Sequence, residues 1–345
     1  MRACLAWWLW NWRVACCVAY AVIRLTISGL LFAAGCMAAT GPHYYSDDDG
    51  TIGNGADGGG SSCVAVALTA TPVTPAVQLM IDGSGSMGDG FGNTNKYTAV
   101  ANALVDSTNG IVTKLQTKAA FGAAVYTSEQ CPKLYASACT LNNVAGVTAA
   151  ITNGGNANHL YNPAVEAITS VVDTLAVATG KRKTIILATD GVPNQCNSNS
   201  GDRTDEAVAE VSTAYGEGIG FYIIGLGNVG STAYLQKMAN AGVGATGGTN
   251  AMYWDANNQT DVQTAYQAIL DKVLDCELTL DGTIDPAQAA SGTVRSNATT
   301  LQLTTDWIAL DVHTIQLVGA ACTAYKAAIT APEITATFAC GATKP

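Results

Sequence analysis

The sequence contains little charge, few histidines and none of the common hydrolase motifs. Only 12% of its 345 residues are charged, which is low for a cytosolic enzyme. Its three histidines are His43, His159 and His313, and no H-E-x-x-H motif occurs, which excludes a zinc protease of that type. No G-x-S-x-G motif surrounds Ser84 or Ser86, which excludes a serine hydrolase with a nucleophile elbow there.

Basic residues are also few, with 16 Lys and Arg against 26 Asp and Glu. The resulting net charge of −10 argues against nucleic acid and anionic lipid surfaces as partners, because both repel an acidic protein. The same charge is compatible with binding of cations. Hydrophobic residues make up 48% of the chain, which is enough for one large domain with smaller attachments.

The N-terminus indicates export. Arg24 is followed by an apolar run over residues 25–34, which has the length of a signal-peptide core and is short for a bilayer span. The run ends in Ala33-Ala34-Gly35-Cys36, which resembles the end of a bacterial lipoprotein signal. We therefore predict an export segment over residues 1–36 with Cys36 as the lipidated residue. An uncleaved membrane anchor is the alternative, and both place the rest of the chain in the cell envelope.

Residues 37–62 are rich in Gly and Asp and poor in apolar residues, which predicts a flexible tether. From residue 63 onward strand and helix patterns alternate, as in an α/β fold with a doubly wound, mostly parallel sheet. The strands are predicted at 77–81, 119–126, 184–189, 221–224 and 252–254, and the helices at 96–108, 144–152, 163–178, 204–216, 232–241 and 261–274.

One stretch brings several metal-binding groups together. Val77 to Ile81 is a continuous apolar run, as expected of a central strand covered on both faces. It leads into Asp82, and a glycine-containing turn then presents the hydroxyls of Ser84 and Ser86. A carboxylate and two hydroxyls on one tight loop are hard oxygen ligands, which suit Mg²⁺ or Mn²⁺.

A second carboxylate, Asp190, directly follows the predicted strand 184–189. In a doubly wound sheet, ligands bind at the carboxyl ends of strands where the winding direction reverses. If the two strands are neighbours at that point, Asp82 and Asp190 face the same crevice.

These two segments resemble the von Willebrand factor A-type domain. Asp82, Ser84 and Ser86 match the Asp-x-Ser-x-Ser pattern of its metal-ion-dependent adhesion site, and residues 186–194 match its second site segment. The resemblance implies a Mg²⁺ ion, or Mn²⁺ or Ca²⁺, bound directly by Ser84 and Ser86 and mainly through water by Asp82 and Asp190. It further implies an adhesion module without enzymatic activity, whose ion has an open position for a carboxylate of a protein or other macromolecular ligand.

One ligand of the family pattern is missing. The resemblance places His159 where the family has a coordinating threonine, in the loop before Pro163. Asn158, His159 or water could replace it, and imidazole suits Zn, Cu or Ni better than Mg. The alternative is that His159 is only a polar loop residue and binds no metal.

Seven cysteines follow Cys36, and export predicts that most of them pair. The resemblance implies that the two ends of the A-type domain lie close together, which favours a clasp between Cys63 and Cys276. The predicted pairs are Cys63–Cys276, Cys131–Cys139 and Cys322–Cys340, with Cys196 left over.

We assign residues 63–276 to the A-type domain and residues 277–345 to a small antiparallel β domain. In the second part, alternating patterns predict strands at 278–280, 300–303, 314–318 and 334–338. This arrangement resembles exported bacterial A-domain proteins with a cysteine-containing β extension. The alternative function is an exported hydrolase that uses the same loop face.

Overall fold

The computed structural model describes residues 65–155, 160–176, 182–198, 201–227, 232–246, 248–328 and 330–344. The predicted export segment 1–36 with Cys36, and the tether 37–62, lie outside the described residues. Within the described ranges, no helix has the length and apolar character needed to cross a bilayer.

The strands and helices alternate along the first two thirds of the described chain. The strands are β1 Val66–Pro72, β2 Ala76–Asp82, β3 Gly90–Phe91, β4 Thr94–Asn95, β5 Ala120–Thr127, β6 Lys133–Thr140, β7 Lys183–Thr189, β8 Ile219–Leu226, β9 Trp254–Ala256, β10 Glu277–Leu280, β11 Thr283–Ile284, β12 Thr293–Ser296, β13 Thr299–Leu301, β14 Trp307–Ala309, β15 Thr314–Leu317, β16 Ile334–Phe338 and β17 Thr343–Lys344. The helices are α1 Lys96–Val105, α2 Ile111–Leu115, α3 Val144–Gly154, α4 Ala164–Ala176, α5 Thr204–Gly216, α6 Thr232–Gly242, α7 Gln259–Val273 and α8 Gly319–Ala327.

A six-stranded sheet in the order β6-β5-β2-β7-β8-β9 forms the centre of the α/β part. β2 runs parallel to both β5 and β7, and its residue Ile81 lies opposite Val125 and Ala188. The chain winds from β2 towards β5 and then returns to β7, so the winding direction reverses between β2 and β7. The predicted doubly wound class is confirmed, with β6 as an added antiparallel edge strand.

Hydrophobic cores lie on both faces of this sheet. Val77, Leu79 and Ile81 point to the face covered by α1, α2, α3 and α7, while Ala76 and Met80 point to the face covered by α4, α5 and α6. All seven residues of β2 are buried, as predicted for a central strand. Burial of each large aliphatic side chain contributes about 1.5–3 kcal/mol, and this holds the two strand ends in fixed positions.

The antiparallel part combines chain segments that precede and follow the α/β part in sequence. Its seven-stranded sheet has the order β13-β12-β16-β1-β10-β15-β14, so β1 lies between β16 and β10. Residues 66–72 fall within the range predicted for the A-type domain, and they pair with strands of the C-terminal region. The sequence pattern also missed α8, which packs on this sheet through the buried side chain of Tyr325.

Lysines connect α8 to the α/β part. The ammonium of Lys118 donates to the carbonyls of Tyr325 and Lys326, at 2.8 and 2.6 Å, near the C-terminus of α8. In turn Lys326 donates to the carbonyl of Asp271 near the end of α7, at 2.6 Å. A cation at a helix C-terminus satisfies free carbonyls and interacts favourably with the helix dipole.

The predicted cysteine pairs are wrong where the structure describes them. Disulfides join Cys131 to Cys196 and Cys276 to Cys322, with Cα separations of 5.2 and 5.6 Å. Cys139 is a free thiol, because it lies within the extended strand β6, far beyond disulfide reach of Cys131 before that strand. Cys63 and the side chain of Cys340 lie outside the described residues.

Candidate functional site

The first site segment begins where β2 ends. Asp82 is completely buried, and its Oδ1 accepts a hydrogen bond from the backbone N–H of Ser84, at 2.8 Å. Gly83 must be glycine, because a Cβ there would lie 2.7 Å from the carbonyl oxygen of Tyr126. A 3-10 turn, Gly85–Gly88, follows, and the buried side chain of Met87 anchors it in the core.

The structure brings the four predicted site residues together. The Ser86 hydroxyl donates to Oδ1 of Asp190 at 2.8 Å, across 104 residues of sequence. The Oγ atoms of Ser84 and Ser86 are 3.2 Å apart. Asp82 and Asp190 interact electrostatically from the ends of β2 and β7. The two strand ends therefore meet as the sequence predicts, while the metal role of these residues stays a prediction.

Two residues that the sequence interpretation missed hold Asp82 in place. Oδ2 of Asp82 accepts hydrogen bonds from Nδ2 of Asn162 at 2.8 Å and from the hydroxyl of Thr189 at 2.7 Å. Asn162 also donates to the carbonyl of Gly191 at 3.2 Å and accepts from the hydroxyl of Tyr126 at 3.2 Å. The sequence gives a hint for Thr189, which is the polar last residue of a strand that pairs with β2. It gives no such hint for Asn162 beyond its place before Pro163.

A lysine completes the contacts of Asp190. Lys96, the first residue of α1, donates to Oδ2 of Asp190 at 2.7 Å and to the carbonyl of Ser86 at 3.2 Å. Its ammonium is also 3.8 Å from Oδ2 of Asp89. Both oxygens of Asp190 thus have donors, one from a hydroxyl and one from a cation.

Burial and charge shift the acidity of this region. Burial raises the pKa of Asp82 to about 6, with a smaller contribution from the negative charge of Asp190. Hydrogen bonds from Thr189 and Ser84 oppose this rise. Burial also raises the pKa of the Tyr126 hydroxyl well above its usual value. Tyr126 therefore acts as a neutral hydrogen-bond donor towards Asn162, and Asp82 becomes ionised near neutral pH.

A depression opens above the two strand ends. Its volume is about 440 Å³, and it is lined by Ser84, Gly85, Ser86, Leu160, Asn162, Gly191, Val192 and Asn194. Leu160 stands at its rim with 72% of its surface exposed. The Cys131–Cys196 disulfide ties the loop before β6 to the loop after β7, so the two are held together near this edge of the sheet.

The chemistry of the donor set fits a small, hard cation. Two hydroxyls and two carboxylates lie within one local network, and oxygen ligands of this kind are those that Mg²⁺, Mn²⁺ and Ca²⁺ prefer. In the described part of the chain, no group of three or more His, Cys, Asp or Glu side chains is placed to hold a metal. The candidate ligands Asn158 and His159 lie outside the described residues.

Residues 77–267 match the family model of the von Willebrand factor type A domain. The matched region is more than half of the chain and contains every side chain of the site described above. None of the curated proteins matches the chain.

Several solved structures resemble the chain at low sequence identity. The PilB minor pilin from Streptococcus sanguinis is 18% identical over 59% of this chain and 62% of its own, with a TM-score of 0.48. The pilus adhesin SpaC from Lactobacillus rhamnosus GG is 16% identical over 78% of this chain and 40% of its own, with a TM-score of 0.47. Proximal thread matrix protein 1 from the mussel byssus, with zinc in its MIDAS motif, is 17% identical over 63% of this chain and 52% of its own, with a TM-score of 0.40. The chain thus spans less than two thirds of the length of each.

Proposed function

Because the chain belongs to the von Willebrand factor type A family, we propose that it is an adhesion module with a metal-ion-dependent site between β2 and β7. The proposal assigns a divalent ion, Mg²⁺ with Mn²⁺ or Ca²⁺ as alternatives, to Asp82, Ser84, Ser86 and Asp190. When bound, the ion supplies a positive centre for a carboxylate of a protein or other macromolecular ligand. The observation that carries the proposal is the hydrogen-bonded contact between Ser86 and Asp190, which joins the two site segments.

The surroundings of the site support ligand binding at this edge. Leu160 is an exposed apolar side chain beside the two serines. It could contact apolar groups that flank the acidic side chain of a ligand. The Cys131–Cys196 disulfide limits the motion of two neighbouring loops, and such pre-organisation lowers the entropic cost of binding. Asn158 and His159 remain candidates for a further ligand.

We further propose that the protein acts in the cell envelope, held to the membrane by a lipid on Cys36. The apolar run before Cys36 supports export, and two disulfides in the described residues are typical of proteins in oxidising compartments. The net charge of −10 makes nucleic acid an unfavourable partner. We propose no enzymatic activity.

An array of acidic peptides tests the function, with each peptide accompanied by a twin in which Asp and Glu are replaced by Asn and Gln. The full chain should bind a subset of the acidic peptides in Mg²⁺, and should bind neither their amide twins nor any peptide in EDTA. Ser86→Ala should abolish this binding, since it removes a proposed ligand from an exposed position. This variant is a cleaner test than Asp82→Ala, because Asp82 is buried and has three hydrogen-bond donors.

Ser212→Ala on α5 is the matched control, because the Ser212 hydroxyl donates to the local carbonyl of Val208 within the same helix. It should bind the same peptides as the wild type. Binding that persists in EDTA, or that does not distinguish acids from amides, would refute the metal-dependent function.

A further inference from the structure

We infer that Lys96 is a counter-ion of the site, which pairs with Asp190 and competes with a divalent ion for that carboxylate. The inference rests on the proposed function, since competition requires an ion that binds to Asp190. It assigns to Lys96 a regulatory role that lowers the affinity of the site for its ion.

The ammonium of Lys96 contacts two of the residues that the proposal assigns to the ion. It lies 2.7 Å from Oδ2 of Asp190 and 3.2 Å from the carbonyl of Ser86. The Asp190 side chain has no exposed surface, and that of Lys96 is only 14% exposed. A charge pair this well shielded from solvent is screened far less than a surface pair.

The position of Lys96 on its helix indicates that the contact with Asp190 determines the direction of the lysine side chain. Lys96 is the first residue of α1, where the helix dipole disfavours a positive charge. A lysine at this place would ordinarily extend into water. Here its Cε instead passes over Gly227, where an added Cβ would be only 3.3 Å away. Gly227 has a positive φ of 78° and leaves room for the stem of the lysine.

The local charges explain why a counter-ion is needed and how it can be released. Asp82 and Asp190 place two carboxylates in a buried region, and Lys96 is the cation that contacts Asp190. A divalent ion beside Asp190 would repel the ammonium. Asp89 offers a second carboxylate 3.8 Å from the ammonium, and its side chain is 71% exposed. We expect Asp89 to accept the displaced ammonium.

Titration of the full chain with Mn²⁺ tests the competition. Lys96→Met keeps the apolar stem and removes the charge, so it should bind Mn²⁺ about tenfold more tightly than the wild type. Lys237→Met is the matched control, because Lys237 pairs with Asp205 at 3.0 Å in an exposed position, and its Mn²⁺ affinity should not change. Asp89→Asn alone should weaken Mn²⁺ binding, because it removes the proposed acceptor of the displaced ammonium. The same substitution should have a smaller effect when it is added to Lys96→Met.

Thermal melting in EDTA tests the counter-ion without any metal. Lys96→Met leaves the Asp190 carboxylate buried and unpaired, so its Tm should fall by roughly 2–4 °C or more relative to the wild type. Adding Asp190→Asn to Lys96→Met should recover most of this loss, because the unpaired charge is then removed.

The possible failures can be told apart. If the wild type binds Mn²⁺ and Lys96→Met binds it no more tightly, the competition is refuted while the metal site stands. If neither protein binds Mn²⁺, the metal site and the competition are refuted together. An unchanged Tm of Lys96→Met in EDTA refutes the counter-ion role in either case.

Discussion

Asn162→Ala should destabilise the protein by an amount that depends on pH. Asn162 is only 4% exposed, and its amide donates to the fully buried carboxylate of Asp82 at 2.8 Å. The substitution removes one of three donors to Asp82 and leaves the buried hydroxyl of Tyr126 without its acceptor on Asn162. It therefore tests whether the hydrogen bond from Asn162 stabilises the ionised form of Asp82 inside the fold.

The magnitude follows from these two losses. A hydrogen bond to a charged group contributes about 1.5–3 kcal/mol, and a neutral one about 1 kcal/mol, so we expect a loss of about 3 kcal/mol at pH 7.5. Burial raises the pKa of Asp82 to about 6, so Asp82 is mostly protonated at pH 5. A neutral carboxyl needs the donor less, and the loss should then shrink to about 1–2 kcal/mol.

The measurement is the free energy of unfolding from urea denaturation in EDTA at both pH values. Asn194→Ala is the control, because the side chain of Asn194 accepts from the backbone N–H of Asn162 at 2.8 Å and leaves the bond to Asp82 intact. It should cost about 1 kcal/mol at either pH. Equal losses for Asn162→Ala at pH 5 and pH 7.5 would refute a contribution of Asn162 to the stability of the Asp82 charge.

Two further predictions concern the ion and the disulfides. The Mn²⁺ affinity should fall about tenfold from pH 7 to pH 5, because the carboxyl of Asp82, with a pKa raised to about 6, must lose its proton for the ion to bind. Calorimetric titration at the two pH values measures this, and a constant affinity would contradict it. Replacing Cys276 and Cys322 with alanine should lower the free energy of unfolding by about 4 kcal/mol, from the entropy of a loop with a sequence separation of 46. Urea denaturation of both proteins without reductant checks this, and a loss below about 1 kcal/mol would count against it.

The local features of the site could be predicted from the sequence because they depend on short stretches. The apolar run before Asp82 identifies a central strand, and the glycines around Ser84 identify a tight turn. Asp190 follows a second strand of the same kind, and the rule that ligands bind where the winding reverses brings the two carboxylates together. The structure places β2 beside β7 as this rule requires.

The contacts that support the site could not be predicted in this way. Asn162 reaches Asp82 across 80 residues, and Lys96 reaches Asp190 across 94, so neither pair leaves a local pattern. The same holds for the disulfides, whose partners are 65 and 46 residues apart, whereas two of the three predicted pairs join cysteines close in sequence. The pairing of β1 has the same cause, because its partners β10 and β16 lie at the other end of the chain.

The two carboxylates of the site have different kinds of support, and this difference determines what their substitution can reveal. Asp82 is held by the fold itself, through a backbone N–H and two buried side chains, so its loss disturbs packing and binding together. Asp190 is held by the hydroxyl of Ser86 and the ammonium of Lys96, two groups that can exchange partners without unfolding a strand. A change in binding at nearly constant stability can therefore be expected from Ser86→Ala, and this residue, more than Asp82, separates the function of the site from the integrity of the sheet that carries it.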